Sequence, residues 1–138
     1  MKVAKEFKWE MGHRLSFHKG KCKNLHGHSY KLRVEFEGNE DYTGIVIDYH
    51  DIKAIVAPII EKLDHAFMIY KNDTELYNAL INIKTKLVVV EYEPTAENIC
   101  NYFLQEISKA DLPNNITSIT ARVFESDETY AENEWKIK

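Results

Sequence analysis

With 138 residues, 44% of them hydrophobic and 29% charged, the chain is long enough for one substantial core, so a single domain spanning residues 1–138 is expected. The formal net charge of -4, with the two signs interspersed, argues against a nucleic-acid footprint or a patch for anionic membranes. No apolar run approaches the roughly 20 residues that span a bilayer, and Met1 to Glu6 lack a signal-peptide core, so a cytoplasmic protein is expected.

From Val3 to His13, the apolar residues Phe7, Trp9 and Met11 alternate with Glu6, Lys8 and Glu10, which predicts a strand whose apolar parity ends on His13. A loop from Leu15 to Leu25 follows, carrying Cys22 among Lys19, Lys21 and Lys23. Then come His26, Gly27 and His28, and a second strand in which Tyr30, Leu32, Val34 and Phe36 keep the parity of the two histidines. Ser29, Lys31, Arg33, Glu35 and Glu37 take the other face. A lone His-x-His pair is as readily a packed loop as a metal site. If the two strands pair antiparallel, however, His13 converges on His26 and His28, and three neutral imidazoles with an open fourth position form a catalytic-type zinc site. His18 reads as a solvated loop histidine.

Asn39 to Gly44 reads as a turn and Ile45 to Ile47 as a strand. Asp48 then caps a helix with Ile52, Ile55, Val56, Ile59, Ile60 and Leu63 on one stripe, in which Pro58 predicts a kink. Asp64 and His65 follow; taken alone, they read as a cap or a surface ion pair. Thr74 to Ile81 has the pattern of a short helix and Leu87 to Val90 that of a buried strand. After Pro94, Thr95 caps a helix that turns Ile99, Cys100, Phe103, Leu104 and Ile107 inward, so Cys100 reads as a small core residue and no disulfide to Cys22 is expected. Strands from Ile116 to Glu125 and from Thr129 to Ile137 close the chain around a turn at Ser126 to Glu128. The expected class is α+β, an antiparallel sheet with two helices on one face in the order ββααββ, with an extra piece between the helices.

These motifs, taken in order, resemble the 6-pyruvoyltetrahydropterin synthase superfamily, and within it the 6-carboxytetrahydropterin synthases of 7-deazaguanine (queuosine or archaeosine) biosynthesis. The residues that carry the resemblance are Gly12 to Leu15, Cys22 to Tyr30, Thr43 to Asp48, Leu63 to His65, Pro94 to Asn98 and Val123 to Glu125. The resemblance implies zinc on His13, His26 and His28, Cys22 as the catalytic thiol, and a relay completed by Asp64 and His65. It implies that Glu125 anchors a pterin whose pocket Thr95 and Glu97 line. It also implies the tunnelling T-fold, in which subunits join their sheets into a barrel, here a homohexamer built as a dimer of trimers with active sites between subunits. The implied reaction is that of a zinc-dependent lyase converting 7,8-dihydroneopterin triphosphate to 6-carboxy-5,6,7,8-tetrahydropterin, with loss of acetaldehyde and triphosphate.

The chemistry of the residues agrees with those roles. Zinc acts as a Lewis acid on side-chain hydroxyls. A free thiol, with a pKa of about 8.5, is driven toward thiolate by nearby lysines and by metal. Lys19, Lys21, Lys23 and Arg14 are candidate partners for the triphosphate, His65 can move a second proton, and Glu125 can accept two hydrogen bonds from an amino-pyrimidinone edge. Three alternatives stay open. A 6-pyruvoyltetrahydropterin synthase would eliminate triphosphate without cleaving the side chain. A non-catalytic zinc module would need Cys22 as its fourth ligand, and a cupin would need a glutamate soon after the histidine pair, which is missing. The chain departs from the compact carboxy enzymes at Ala66 to Glu93, which is longer here.

Overall fold

The computed structural model describes residues 1–137; Lys138, the last residue of the expected domain, lies outside them. Strand β1 (Lys2–His13) pairs antiparallel with β2 (His26–Gly38) in unbroken register from Lys2 opposite Glu37 to His13 opposite His26. Strict alternation specifies this register, because a slip of one residue would turn every apolar side chain of β1 to water. Strand β5 (Ile116–Phe124) pairs antiparallel with the free edge of β2, and β6 (Tyr130–Lys136) with β5.

Between β2 and β5 the chain forms helix α1 (Tyr49–Leu63), strand β3 (Ala66–Tyr70), helix α2 (Thr74–Ile81), strand β4 (Leu87–Val90) and helix α3 (Ala96–Ile107). α1 returns the chain to the His13 end of β1, and β3 continues from there in the direction of β1, with Met11 opposite Ala66 and Gly12 opposite Phe67. β4 is parallel to β3, joined through α2 as parallel strands require. The sheet order is β4-β3-β1-β2-β5-β6.

α1 packs on β1 and β3, and α3 on β5 and β6. Their inward stripes, Ile52, Val56, Ile59 and Leu63 on one and Ile99, Cys100, Phe103, Leu104 and Ile107 on the other, meet Trp9, Met11, Tyr30, Leu32, Val34, Phe36, Ile119 and Val123 from the sheet. Each fully buried side chain of this size contributes about 1.5–3 kcal/mol relative to exposure. Trp9 stacks on Tyr30 with ring centroids 4.9 Å apart and meets the edge of Phe103 at 5.2 Å. The caps form as the sequence predicts: Asp48 accepts from the His50 amide and Thr95 from the Asn98 amide. The opposite face of the sheet carries charge pairs, Glu6 with Lys31, Glu35 with Arg33 and Glu132 with Arg122. No helix among the described residues is long and apolar enough to cross a membrane.

Four local expectations change. Ile45 to Ile47 do not form a strand: β2 already has β1 and β5 on its two edges, so no edge there is left to pair with. Val46 and Ile47 instead plug the end of the core, while Asp41 accepts from the amides of Thr43 and Ile45, and Asn115 from the segment entering β5 donates to the Val46 carbonyl. The sheet is mixed, because β3 and β4 add a parallel edge to four antiparallel strands. β4 is only partly covered, with Val89 48% exposed at that edge. Finally, β2 begins at His26, so both histidines of the pair belong to the ladder and inherit its rigidity.

Candidate metal centre and active site

Because His13 faces His26 across the ladder and Met11 faces His28, the three imidazoles share the helix-side face at one end of the sheet. One nitrogen from each ring lies within 4.8 Å of the others. Gly27 makes the close approach of the strands possible, since a Cβ there would stand 2.9 Å from the Met11 carbonyl oxygen. Backbone carbonyls hold two of the rings: His13 Nδ1 donates to Pro94 O at 2.7 Å and His26 Nδ1 to Asn24 O at 2.7 Å. A carbonyl only accepts, so both rings keep their proton on Nδ1, which leaves Nε2 to face the centre. His13 Nε2 is buried and has no hydrogen-bond partner.

Burial, with smaller contributions from His26 and His28, pushes His13 down to about 4 against the opposing effect of Pro94. Burial and then His26 also lower His28. His13 is therefore neutral at pH 7, so the 3.9 Å approach of Glu125 to its Nε2 is not an ion pair. Three imidazoles with nitrogens this close together, one of them buried and unpartnered, fit a divalent metal of borderline softness.

Glu125 follows β5 directly, with its other oxygen 4.0 Å from His28 Nε2. Burial, then Glu97, raises its carboxyl above the usual range, while His26 opposes the shift. Glu125, Glu97 and Thr95 line one hollow of about 440 Å³, walled by Leu15, Phe17 and Tyr130. Cys22 sits half-buried in a single 3-10 turn, Lys21–Lys23, and its carbonyl accepts from the Leu15 amide at 2.8 Å, so the thiol segment is tied to a residue of the hollow's wall. Lys19, Lys21 and Lys23 are exposed around it. His18 accepts from the Gly20 amide within the loop. Arg14 is not available for phosphate as the sequence allowed, because its Nε and Nη2 both donate to the carboxylate of Asp73, at 2.7 and 2.5 Å.

Asp64 and His65 lie elsewhere. Asp64 is the C-cap of α1; its Oδ1 accepts from the Glu10 amide at 2.9 Å and lies 3.0 Å from His65 Nδ1. The Glu10 amide, then His65 and Lys86, hold the Asp64 carboxyl below the usual carboxylate range. His65 takes a left-handed backbone, φ 60°, and donates its amide to Glu10 O. Phe67 pairs with Gly12, and His65 lines a second hollow with Glu10, Gly12, Gly27, Ser29 and Thr85, which His28 also borders. The chain thus brings together His13, His26, His28, Glu125, Glu97 and Thr95, with Cys22 on the adjoining loop, and holds Asp64 with His65 apart from them.

Sequence reasoning missed the carbonyls of Pro94 and Asn24, since every residue carries a carbonyl and no side-chain pattern reports its use. The wall residues Phe17 and Tyr130 were legible only as apolar residues outside any stripe; they are 61% and 53% exposed.

The family described as 6-pyruvoyl tetrahydropterin synthase matches residues 2–135. A 6-carboxy-5,6,7,8-tetrahydropterin synthase of Haemophilus influenzae is 37% identical over 140 aligned positions, covering 95% of this chain and 96% of that protein. The enzyme of the same name from Aquifex aeolicus is 33% identical, covering 78% of each. Among solved structures, a 6-pyruvoyl tetrahydropterin synthase of Plasmodium falciparum superposes with a TM-score of 0.79 at 20% identity, over 99% of this chain and 98% of its own. An uncharacterized protein of Wolinella succinogenes gives 0.81 at 22% identity, over 100% and 98%. With its fold matched along the whole chain and its sequence along nearly all of it, the chain belongs to the 6-pyruvoyl tetrahydropterin synthase family and has that family's T-fold.

Proposed function

We propose that this protein is a zinc-dependent lyase that converts 7,8-dihydroneopterin triphosphate to 6-carboxy-5,6,7,8-tetrahydropterin, releasing acetaldehyde and triphosphate. In this reading it is a single-domain cytoplasmic enzyme of 7-deazaguanine biosynthesis. The observation that carries the reading is the imidazole trio beside the Glu125 hollow, with a buried, unpartnered Nε2 on His13. The 37% identity to a relative bearing the carboxy name supports the carboxy product.

His13, His26 and His28 would hold the metal, which supplies Lewis acidity at the hydroxyls of the substrate's side chain. The chain's own groups do the rest. Glu125 accepts hydrogen bonds from the amino-pyrimidinone edge of the pterin, and Leu15, Phe17 and Tyr130 cover its ring and exclude water. Thr95 and Glu97 shape the floor, and the Cys22 sulfur takes a proton from the side chain beside the trio. The exposed Lys19, Lys21 and Lys23 are placed to receive the triphosphate. His65, oriented by Asp64, moves the second proton. Because this pair lies apart from the trio of its own chain, it serves the site of a neighbouring copy, in a homohexamer with active sites between subunits.

A structural zinc is the weaker reading. It needs Cys22 as a fourth protein ligand, whereas the ligand group among the described residues comprises the three histidines alone. The test is mass spectrometry of the products after zinc-loaded protein meets 7,8-dihydroneopterin triphosphate. A 6-carboxypterin with acetaldehyde supports the proposal. A pyruvoyl product moves the enzyme to the other branch of the family, and no turnover by folded, loaded protein removes the reaction.

A further inference from the structure

The segment from Asp73 to Glu93 reaches back to the residues that follow His13. At one end of it, the Asp73 carboxylate takes both the Nε and the Nη2 of Arg14, and its side chain is only 7% exposed. At the other end, the Glu93 carboxylate accepts from the amide of Ser16 at 3.3 Å and from its hydroxyl. Glu93 is itself held, because its backbone carbonyl accepts from Asn98 Nδ2 at 3.0 Å in the first turn of α3. Leu15 lies between the two clamped residues, and its amide is the one that bonds the Cys22 carbonyl. Leu15 also lines the hollow of Glu125. The path from either carboxylate to the thiol segment is thus two hydrogen-bonded links, one to Arg14 or Ser16 and one from Leu15 to Cys22, joined by one step of backbone.

We infer that Asp73 and Glu93 are positioning residues: by clamping Arg14 and Ser16 they fix Leu15, and through it hold the Cys22 loop closed against the pterin hollow. The inference rests on the reading of Cys22 as the reacting thiol. Ser16 is exposed and outside the core, so cutting its bond to Glu93 should free the loop without disturbing the sheet.

The experiment compares wild type with Ser16→Ala, Glu93→Ala and Ser16→Thr, which keeps both donors; Asp73→Asn probes the second clamp. Three readouts are taken on the full-length, zinc-loaded protein. These are the rate of trypsin cleavage after Lys19, Lys21 and Lys23, the rate of iodoacetamide labelling of Cys22, with buried Cys100 as internal control, and kcat with 7,8-dihydroneopterin triphosphate. Glu93→Ala, which removes both bonds, should raise cleavage and labelling about tenfold, as a local opening does, and Ser16→Ala, which keeps the amide bond, should raise them by less. Both should lower kcat, Glu93→Ala roughly tenfold or more, through misplacement of the thiol, with zinc content unchanged and Ser16→Thr restoring wild-type behaviour. Wild-type cleavage and labelling in both alanine variants overturns the inference, as does an opened loop with unchanged kcat. If wild type itself makes no carboxypterin while the variants open the loop, the proposed reaction falls and the clamp over Cys22 stands.

Discussion

The imidazole trio and the Asp64–His65 pair sit in opposite surroundings. The imidazole trio is built into two paired strands, with His13 1% exposed and two rings locked by backbone carbonyls. Asp64 and His65 form a turn after α1, where the His65 side chain is 76% exposed. The trio, assembled by strand register, comes from one chain alone. An exposed pair held by one amide and a left-handed turn becomes useful only when something else covers it, and the proposed hexamer supplies that cover.

The largest expected effect comes from breaking the trio. His28→Ala should cost more in zinc affinity than the ~100-fold typical of losing an outer partner, and turnover should vanish with it; metal analysis after dialysis checks both. Unchanged zinc content would remove His28 from the ligand set. Next, Cys22→Ser and His65→Ala should each lower kcat by about 10²–10⁴-fold with zinc retained. Mixed and reassembled, the two inactive variants should regain activity, since some interfaces then pair an intact Cys22 with an intact His65. If mixing recovers nothing, the pair does not act across subunits.

The two regions should also answer differently to pH. In the metal-free protein His13 titrates near 4 when folded against 6.5 for its ordinary value. Between those values the unfolded chain binds the extra proton, so this contribution is fully present above about pH 6.5 and is lost as pH falls toward 4, amounting to about 3 kcal/mol. Denaturant midpoints measured from pH 7 to 4 should therefore fall for wild type and fall less for His13→Asn. Asp64 is too exposed for its lowered carboxyl to matter comparably. The smallest effect is expected at the proposed pterin anchor: Glu125→Gln should raise KM about tenfold, or ~1.4 kcal/mol, with zinc content unchanged. An unaltered KM would move the anchor elsewhere in the hollow.

Much of the centre is legible in the amino-acid sequence. The alternation of Phe7, Trp9 and Met11 places His13 on the apolar parity of β1, and His26 and His28 continue that of β2, so antiparallel pairing alone makes them converge. The stripes of α1 and α3 and the caps Asp48 and Thr95 are equally plain, because each depends on residues only a few positions apart. Ile45 to Ile47 mislead because three apolar residues look the same whether they pair in a sheet or plug a core. Arg14 reads as a phosphate ligand because its partner, Asp73, is 59 residues away and reaches it only once β3 runs past the end of β1.

By itself, then, the sequence determined the periodicities, the caps, the parity of the three histidines and the donor types available for metal and pterin. These are local properties, set by side-chain chemistry and by spacings of two or of three to four residues. Tertiary structure decided which groups face one another across the chain. It added the parallel edge β3–β4, chose the carbonyls that fix the ring tautomers, engaged Arg14 and set Asp64 with His65 apart from the trio. Those outcomes depend on which strand edges are left unpaired and where α1 returns the chain, and no stretch of sequence encodes either alone.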